Sequence, residues 1–332
     1  MTAPHRARRT PALLAALAAI SLAGCGLQPA ASYIPDVAPG SIRPLDLPEA
    51  ASLTVTSKSF TEQLILGKIG VLTAQAAGFE VHDMTGLPGS APVRNLMVSG
   101  QAQMHWDYTG AAWLTYLGQE KGIPDQTAQW QAVREAELDN GITWLEPAPL
   151  NNTYAIAIPP ELAQKYGDRL TTISDIAELP VEERTFCVEA EFNSRTDGLN
   201  PMLEHYGIPR DSPQGVPNEN IQLLDTGAIY EATAQGLCNF GEVFGTDGRI
   251  QSLELTVLED DQQFFPAYNA AAAINTATLE QYPQLEQVFG QVSAALTTET
   301  MQTLNRKVDV EGQEPADVAA EWMLANGFIT DP

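Results

Sequence analysis

The sequence predicts an α/β fold with mostly parallel sheets, and three observations support that prediction. Strand-like and helix-like runs alternate from Leu53 onward, which is typical of sheets built from βαβ units. The chain has 332 residues, enough for about two domains of the usual size. After an apolar run near the start no second long apolar run follows, so we expect the remainder to be soluble.

The first 25 residues show the order of zones found in a secretion signal. Arg6, Arg8 and Arg9 form a basic region, and the run "PALLAALAAISL" after it is apolar but too short to span a membrane. That run leads into "LAGC", which resembles the lipobox of bacterial lipoproteins and would place a lipid on Cys25. We predict a lipoprotein signal peptide over residues 1–25, with an ordinary secretory signal as the alternative.

Residues 26–50 are predicted to form a tether. They are rich in proline and alanine, and no apolar period runs through them. A segment of this kind is semi-extended and poorly packed, so we expect it to separate the anchor from a folded body.

The charge of the chain argues against a nucleic-acid partner. The formal net charge is −25, and removal of the predicted signal would delete three arginines and no acid. Such a surface repels nucleic acid and anionic lipid and attracts cations weakly.

Two cysteines remain once Cys25 is assigned to lipid, and they lie in the strand-like runs "RTFCVEA" and "GLCNFGEV". In an oxidising compartment Cys187 and Cys238 are expected to form a disulfide. Two buried thiols are the alternative, because sequence alone does not give their separation.

The first elements follow a strand–helix order. "LTVTSK" is predicted as a strand, and Ser59 and Glu62 have the spacing of a capping box before the helical run "LILGKIGVLTAQAAG". The turn-rich "TGLPGSAP" opens the helix "VRNLMVSG", and "NNTYAIAIP" is a strand ended by two prolines.

Later elements continue the alternation. "TISDIAELP" predicts a short helix and "RTFCVEAEF" a strand, and Asn200 and Pro201 are expected to start the next helix as cap and first residue. "AIYEATAQG" is helical, "CNFGEVF", "LELTVL" and "AYNAAAAI" are strands, and helices follow to Phe328. In open sheets of this kind ligands bind beyond the carboxyl ends of the strands.

Two cations are candidates for holding an anionic ligand group. Lys58 ends a strand just before a helix, where the helix dipole favours an anion. Arg195 lies in the loop "EFNSRTDG" and could grip a carboxylate with two hydrogen bonds. The alternatives are a solvated surface lysine and a structural ion pair between Arg195 and Glu191.

Four aromatic residues stand at or beside strand–loop junctions: Tyr108, Tyr154, Phe244 and Tyr268. Any one of these rings alone could be a hydrophobic core residue, but four at comparable places in successive βα units indicate a common ligand site. A quaternary ammonium has no N–H to donate, so ring faces suit it better than a carboxylate does. Such a box with one anchored carboxylate would reach about −8 kcal/mol, which is micromolar binding.

The residues give no sign of catalysis. The histidines lack metal-ligand spacing with the cysteines, and no Ser-His-Asp signature occurs. We predict no metal, no cofactor and no enzymatic activity.

Six stretches resemble the substrate-binding lipoproteins of osmoprotectant ABC importers, which handle glycine betaine, proline betaine, carnitine or choline. They are "SKSFTEQLILGKIG", "SGQAQMHWDYTGAAW", "NNTYAIAI", "EFNSRTDG", "VFGTDGRI" and "EDDQQFFPAYNAAAAIN", in the order of the family. The resemblance implies a two-lobed periplasmic-binding-protein fold of type II, each lobe a mostly parallel sheet flanked by helices, joined by two hinge strands. Lobe 1 would comprise residues 51–149 and 263–332, and lobe 2 residues 150–262.

The resemblance also implies roles for individual residues. The ring box falls on Tyr108, Tyr154, Phe244 and Tyr268, and the carboxylate grip on Lys58 and Arg195. The chain departs from the family pattern at Phe244, which replaces a tyrosine, at Ala111, where a hydroxyl is common, and at Asn152, where some members carry an acid. We therefore expect Ala111, Asn152 and Glu191 to contact the ligand or to support those that do.

The functional hypothesis is an extracytoplasmic receptor, anchored to the cell membrane by a lipid on Cys25. It would capture glycine betaine or a related quaternary ammonium osmoprotectant and deliver it, as a monomer, to a membrane permease driven by a cytoplasmic ATPase. The alternatives are a choline-selective receptor of the same type, an enzyme on a two-lobed scaffold, and an adaptor lipoprotein without a small ligand.

Overall fold

The structure, a computed structural model, describes residues 33–195 and 197–332. The predicted signal peptide, Cys25 and the first part of the predicted tether lie outside the described residues. The strands are β1 Ala38–Pro39, β2 Ser52–Lys58, β3 Glu80–Leu87, β4 Met104–Tyr108, β5 Ile142–Trp144, β6 Tyr154–Ile158, β7 Phe186–Val188, β8 Ile221–Leu223, β9 Phe240–Phe244, β10 Thr256–Val257, β11 Ala270–Asn275 and β12 Ile329–Thr330. The helices are α1 Thr61–Ala76, α2 Ser90–Val98, α3 Thr109–Ala111, α4 Gln126–Glu137, α5 Pro160–Tyr166, α6 Ala190–Ser194, α7 Leu199–His205, α8 Thr226–Ala234, α9 Arg249–Ser252, α10 Thr276–Gln281, α11 Leu285–Ser293, α12 Thr298–Asp309 and α13 Pro315–Ala325.

The strands form two five-stranded sheets flanked by helices, as predicted for this α/β fold, besides the short β1–β12 pair. The first sheet has the order β3-β2-β4-β11-β5, and the second has the order β10-β6-β9-β7-β8. In the first sheet β2 is parallel to β3 and β4, and β11 is antiparallel to β4 and β5. In the second sheet β7 is parallel to β8 and β9, and β6 is antiparallel to β9 and β10. Each sheet therefore has four strands in one direction and a single reversed strand.

The chain crosses between the sheets twice, from β5 to β6 and from β10 to β11. The predicted lobe boundaries, at 149/150 and 262/263, fall in these two crossing segments. The segments are paired with each other, because Asn151 and Asn269 form an antiparallel bridge. In addition, the Tyr268 amide donates to Asn151 Oδ1 at 2.8 Å, and the Asn152 amide donates to the Tyr268 carbonyl at 3.1 Å.

Each sheet has its own apolar core. The first is centred on α1, in which Ile65, Leu66 and Ile69 are fully buried against β2, β4 and the helices near the C-terminus. The second gathers Phe186, Phe240 and other side chains around β6, β7 and β9. Burial of such side chains supplies most of the stabilisation of each half, at about 1.5–3 kcal/mol each.

Cys187 at β7 and Cys238 before β9 are joined by a disulfide, with the sulfur atoms 2.01 Å apart. Both residues are fully buried beside α8. The bond links positions 51 residues apart, and closing a loop of that length stabilises the fold by about 4 kcal/mol in the chain-entropy view.

The described part of the predicted tether is not loosely packed throughout. Ala38–Pro39 pairs with β12, Ile42 is completely buried in the first core, and the Leu45 amide donates to the Ala77 carbonyl. The expectation of a poorly packed segment is wrong from Ala38 to Leu45, because one isoleucine and backbone hydrogen bonds hold it without any apolar period.

Three local expectations also differ from the structure. Helix α1 has Phe60, not Ser59, at its N-cap, so Glu62 does not occupy the position that a capping box requires. Helix α7 is preceded by Gly198, which places Asn200 inside its first turn. The strand predicted from "RTFCVEAEF" ends at Val188, where the Glu189 amide donates to Glu242 Oε2 and α6 begins.

Candidate functional site

A cavity of about 450 Å³ lies between the two sheets. Its walls contain every predicted ligand-binding residue whose side chain is described: Lys58, Tyr108, Ala111, Asn152, Tyr154, Arg195, Phe244 and Tyr268. The side chain of Glu191 lies outside the described residues. The topology therefore brings together residues that are up to about 200 positions apart in sequence.

Strand direction explains why these residues meet. Lys58, Tyr108 and Phe244 are the last residues of β2, β4 and β9. Tyr154 begins β6, but β6 is antiparallel to β9, so Tyr154 is directly opposite Phe244. Tyr268 precedes β11, which is antiparallel to β4 and pairs Ala270 with Tyr108. All of these side chains stand at the edge where parallel strands end.

The aromatic side chains form two groups. Tyr154 and Phe244 have ring centroids 5.2 Å apart, and Phe192 supports Tyr154 from behind at 4.8 Å. On the side of the first sheet Tyr108 is stacked with Phe60 at 6.3 Å. Phe60 was not predicted to belong to the site, and it is half exposed at the cavity. Tyr108, Tyr154, Phe244 and Phe60 thus line one cavity, and aromatic ring faces suit a methylated cation.

Gly110 makes room for the Tyr268 ring. A Cβ atom at this position would lie 2.8 Å from both the Ala267 carbonyl oxygen and a Tyr268 ring carbon. The Thr-Gly turn after β4 therefore needs glycine because it passes directly against this ring. After α3 the chain continues in a π-helical turn, Ala112–Tyr116, a feature that is frequent at functional sites.

Lys58 is buried and already paired. Its Nζ donates to Asp107 Oδ1 at 2.8 Å, while the Tyr116 hydroxyl donates to Asp107 Oδ2 at 2.8 Å. Burial alone would raise the pKa of Asp107, but the charges of Lys58 and His105 and these hydrogen bonds outweigh it, so the pKa is lowered. Asp107 therefore stays ionised and neutralises Lys58.

Arg195 is paired in the same way. Its Nε donates to Asp197 Oδ1 at 2.6 Å and one terminal nitrogen donates to Asp197 Oδ2 at 2.9 Å. The Tyr268 hydroxyl accepts from Arg195 at 3.1 Å and donates to Asp197 at 2.9 Å, which connects the two halves of the chain. The Arg195 guanidinium also lies 5.5 Å from the Tyr154 ring centroid.

These pairs alter the expected carboxylate grip. Lys58 and Arg195 do line the cavity, but each forms an ion pair with an aspartate that neutralises its charge. Both aspartates come from positions close to predicted residues, one before Tyr108 and one two residues after Arg195. A ligand carboxylate would meet hydrogen-bond donors here and little net positive charge.

Glu62 is the main cavity residue that the sequence analysis did not assign to the ligand site. It is 3 % exposed, and its Oε1 accepts from the Tyr108 hydroxyl at 2.7 Å and from Asn152 Nδ2 at 3.1 Å. Its Oε2 accepts from Asn305 Nδ2 at 3.0 Å. Burial raises the pKa of Glu62, and the hydrogen bonds from neighbouring side chains oppose that rise only in part. The Ser59–Glu62 spacing had suggested a capping role.

A second unpredicted part of the wall comes from the turn after β9. Arg249 is paired with Asp247 by its backbone amide and its guanidinium, with both the amide and Nε 2.9 Å from Oδ1. Helix α12 contacts this turn, because Asn305 Nδ2 also donates to the Thr246 carbonyl at 2.8 Å. The motif "VFGTDGRI" contained these residues, but only the fold shows that they face the cavity.

The two sheets, the paired crossing segments and the cavity between them define a two-lobed solute-binding protein of the type II periplasmic class. Over residues 51–325 the sequence matches the family described as the substrate binding domain of the ABC-type glycine betaine transport system. The chain belongs to this family of extracytoplasmic solute-binding proteins, which serve ABC transport.

Individual proteins are similar over most of their length. A glycine-betaine-binding protein of Pseudomonas aeruginosa is 34% identical over 293 residues, which cover 86% of this chain and 91% of that protein. The glycine betaine-binding protein YehZ of Escherichia coli is 31% identical over 291 residues, with 86% and 93% covered. The solved structure of apo YehZ has a TM-score of 0.72 at 28% identity and covers 84% of this chain and 100% of that chain.

A more distant solved structure supports the fold alone. Lactococcal OpuAC in its closed conformation with glycine betaine has a TM-score of 0.55 at 13% identity, and covers 83% of this chain and 96% of that one. Among the described residues, no helix has the length and apolar character to cross a bilayer.

Proposed function

We propose that this receptor captures glycine betaine or a related quaternary ammonium osmoprotectant in the cavity between its two lobes. The observation that carries the proposal is the set of four aromatic residues, Tyr108, Tyr154, Phe244 and Tyr268, on the walls of a single cavity. Each contact between a cation and a ring contributes about 0.5–2 kcal/mol, so three or four rings supply a large share of micromolar affinity. Two similar proteins are named for glycine betaine binding.

Ligand binding would close the two lobes. Lys58, Tyr108 and Tyr268 belong to the first lobe of the proposed division, 51–149 with 263–332, and Tyr154, Arg195 and Phe244 to the second, 150–262. A ligand that touches both sets links the lobes, while the crossing segments act as a hinge. The closed receptor would then deliver the solute to a membrane permease driven by a cytoplasmic ATPase, as a monomer held to the membrane by a lipid on Cys25. It would perform no covalent chemistry.

Isothermal titration calorimetry tests this proposal. Glycine betaine, choline, carnitine and proline betaine are titrated separately into the receptor, with glycine as the matched control that lacks the methyl groups. We expect saturable one-to-one binding for at least one methylated compound and none for glycine. The absence of heat, and of any thermal shift, with all four compounds would end the solute assignment.

A choline-selective receptor is the second candidate, and one observation favours it. Lys58 and Arg195, the residues expected to hold the carboxylate of a betaine, are each neutralised by an aspartate. The same titrations separate the candidates, because a choline receptor binds choline more tightly than glycine betaine.

A further inference from the structure

We infer that Glu62 is a specificity-determining residue, whose carboxylate faces the bound cation and favours ligands with a net positive charge. The inference rests on the proposed quaternary ammonium function. It concerns a buried acid to which the sequence analysis assigned only a capping position and no contact with the ligand.

Among the described residues no cation is paired with Glu62, because Lys58 Nζ, 5.4 Å from the centroid of the Tyr108 ring, is held by Asp107. Its oxygens accept hydrogen bonds from Tyr108, Asn152 and Asn305, all of which are neutral groups. Within residues 33–195 and 197–332, no lysine, arginine or histidine nitrogen lies within 4.0 Å of a Glu62 carboxylate oxygen. A buried carboxylate without a cation is costly, so a site that keeps one has a use for it.

Three aspartates around the cavity have cations of their own, and the wall acids Glu189 and Asp309 are less buried than Glu62. Asp107 is paired with Lys58, Asp197 with Arg195, and Asp247 with Arg249. Glu62 is therefore the fully buried wall carboxylate whose charge is left for a ligand to balance. Burial raises its pKa, which is the response expected of a carboxylate that lacks a counter-ion.

The position of Glu62 relative to the rings fits this role. Its carboxylate lies 2.7 Å from the Tyr108 hydroxyl oxygen, at the edge of a ring that forms one wall of the cavity. A cation that packs on the Tyr108 face, within roughly 6 Å of the ring centroid, is consequently close to Glu62. At an effective dielectric constant of about 20, opposite unit charges about 6 Å apart change affinity about 100-fold. A zwitterion gains less, because its own carboxylate is repelled.

The test compares Glu62→Gln with the wild-type protein in titrations with choline, a net cation, and glycine betaine, a zwitterion. Glutamine keeps the size of the side chain and removes its charge. We expect the Kd for choline to rise at least 10-fold and the Kd for glycine betaine to rise less than about 3-fold, because the charge effect partly cancels in a zwitterion. Glu62→Asp keeps the charge and should stay closer to the wild-type ratio of the two Kd values.

Two controls separate charge selection from support of the wall. Glu280→Gln removes the same charge from an exposed site on α10, and should leave both Kd values within about 2-fold because solvent screens it. If Glu62 only held Tyr108, Asn152 and Asn305 in place, the glutamine variant would weaken both ligands equally, and the inference would be wrong. It would also be wrong if the wild-type protein bound glycine betaine and excluded choline.

The wild-type protein provides an independent measurement if the glutamine variant does not fold. Acidification that protonates Glu62 should weaken choline binding relative to glycine betaine. The other charged groups around the cavity are Lys58, Glu189, Arg195, Asp247, Arg249 and Asp309. The pKa of Asp309 is also raised by burial, so Asp309→Asn serves as the control. In that variant the ratio of the Kd for choline to the Kd for glycine betaine should depend on pH as it does in the wild-type protein. A ratio that does not change with pH, or that no longer changes in Asp309→Asn, would contradict the role of Glu62. A wild-type protein that binds neither compound would instead contradict the proposed function itself.

Discussion

Replacing Phe244 tests the aromatic box most directly, because leucine removes the ring face while keeping an apolar side chain of similar size. Phe244 is half-buried, and its ring packs 5.2 Å from Tyr154. A single ring contributes about 0.5–2 kcal/mol to binding a methylated cation, so Phe244→Leu should raise the Kd about 2- to 30-fold. Such a swap changes stability by less than about 1.5 kcal/mol, so the fold should persist.

The assay is calorimetry with choline and with 3,3-dimethyl-1-butanol, the neutral compound in which carbon replaces the nitrogen of choline. Choline should lose affinity in Phe244→Leu, whereas the isostere should bind with the same affinity in both proteins, since it has no charge for a ring to stabilise. Phe244→Tyr keeps an aromatic ring face at this position and should bind choline within about 2-fold of the wild-type protein. If leucine bound choline as well as phenylalanine does, the ring would contribute shape alone, and the cation–π argument would fail.

Three further changes have defined outcomes. Lys58→Ala should raise the Kd for glycine betaine about 10-fold or more in calorimetry and that for choline much less, because only the betaine has a carboxylate; equal losses would mean that the carboxylate lies elsewhere. Gly110→Ala should displace the Tyr268 ring and weaken every quaternary ammonium ligand, while a thermal melt stays cooperative; unchanged Kd values would show that the ring can shift freely. Replacing Cys187 and Cys238 together by serine should lower the free energy of unfolding by about 4 kcal/mol in a urea titration and leave the Kd unchanged, whereas a changed Kd would connect the disulfide to the cavity.

Much of the fold and the outline of the cavity follow from local patterns. The alternation of strands and helices indicates the α/β class, and the rule that ligands bind beyond strand ends brings Tyr108 and Phe244 to one edge. For Tyr154 the local pattern is not enough. It places the residue at one end of a strand, but only the antiparallel pairing of β6 with β9 puts it opposite Phe244.

The electrostatics of the site could not be predicted in the same way. Lys58 meets Asp107 because β2 and β4 are neighbours in the sheet, a pairing between residues 49 positions apart. Glu62 accepts from Asn305, which is 243 positions away, so its local spacing with Ser59 carried no information about its real partners. Arg195 pairs with Asp197 two residues later, and this contact depends on how the loop before α7 turns.

The bridge between Asn151 and Asn269 limits how the two halves of the receptor can move relative to each other. Sliding of one connection past the other would break the bridge and the hydrogen bond from the Tyr268 amide to Asn151. We therefore expect the halves to move mainly by bending both connections together. In the proposed role, a permease would meet a different surface on the receptor once a bound ligand has closed the two halves.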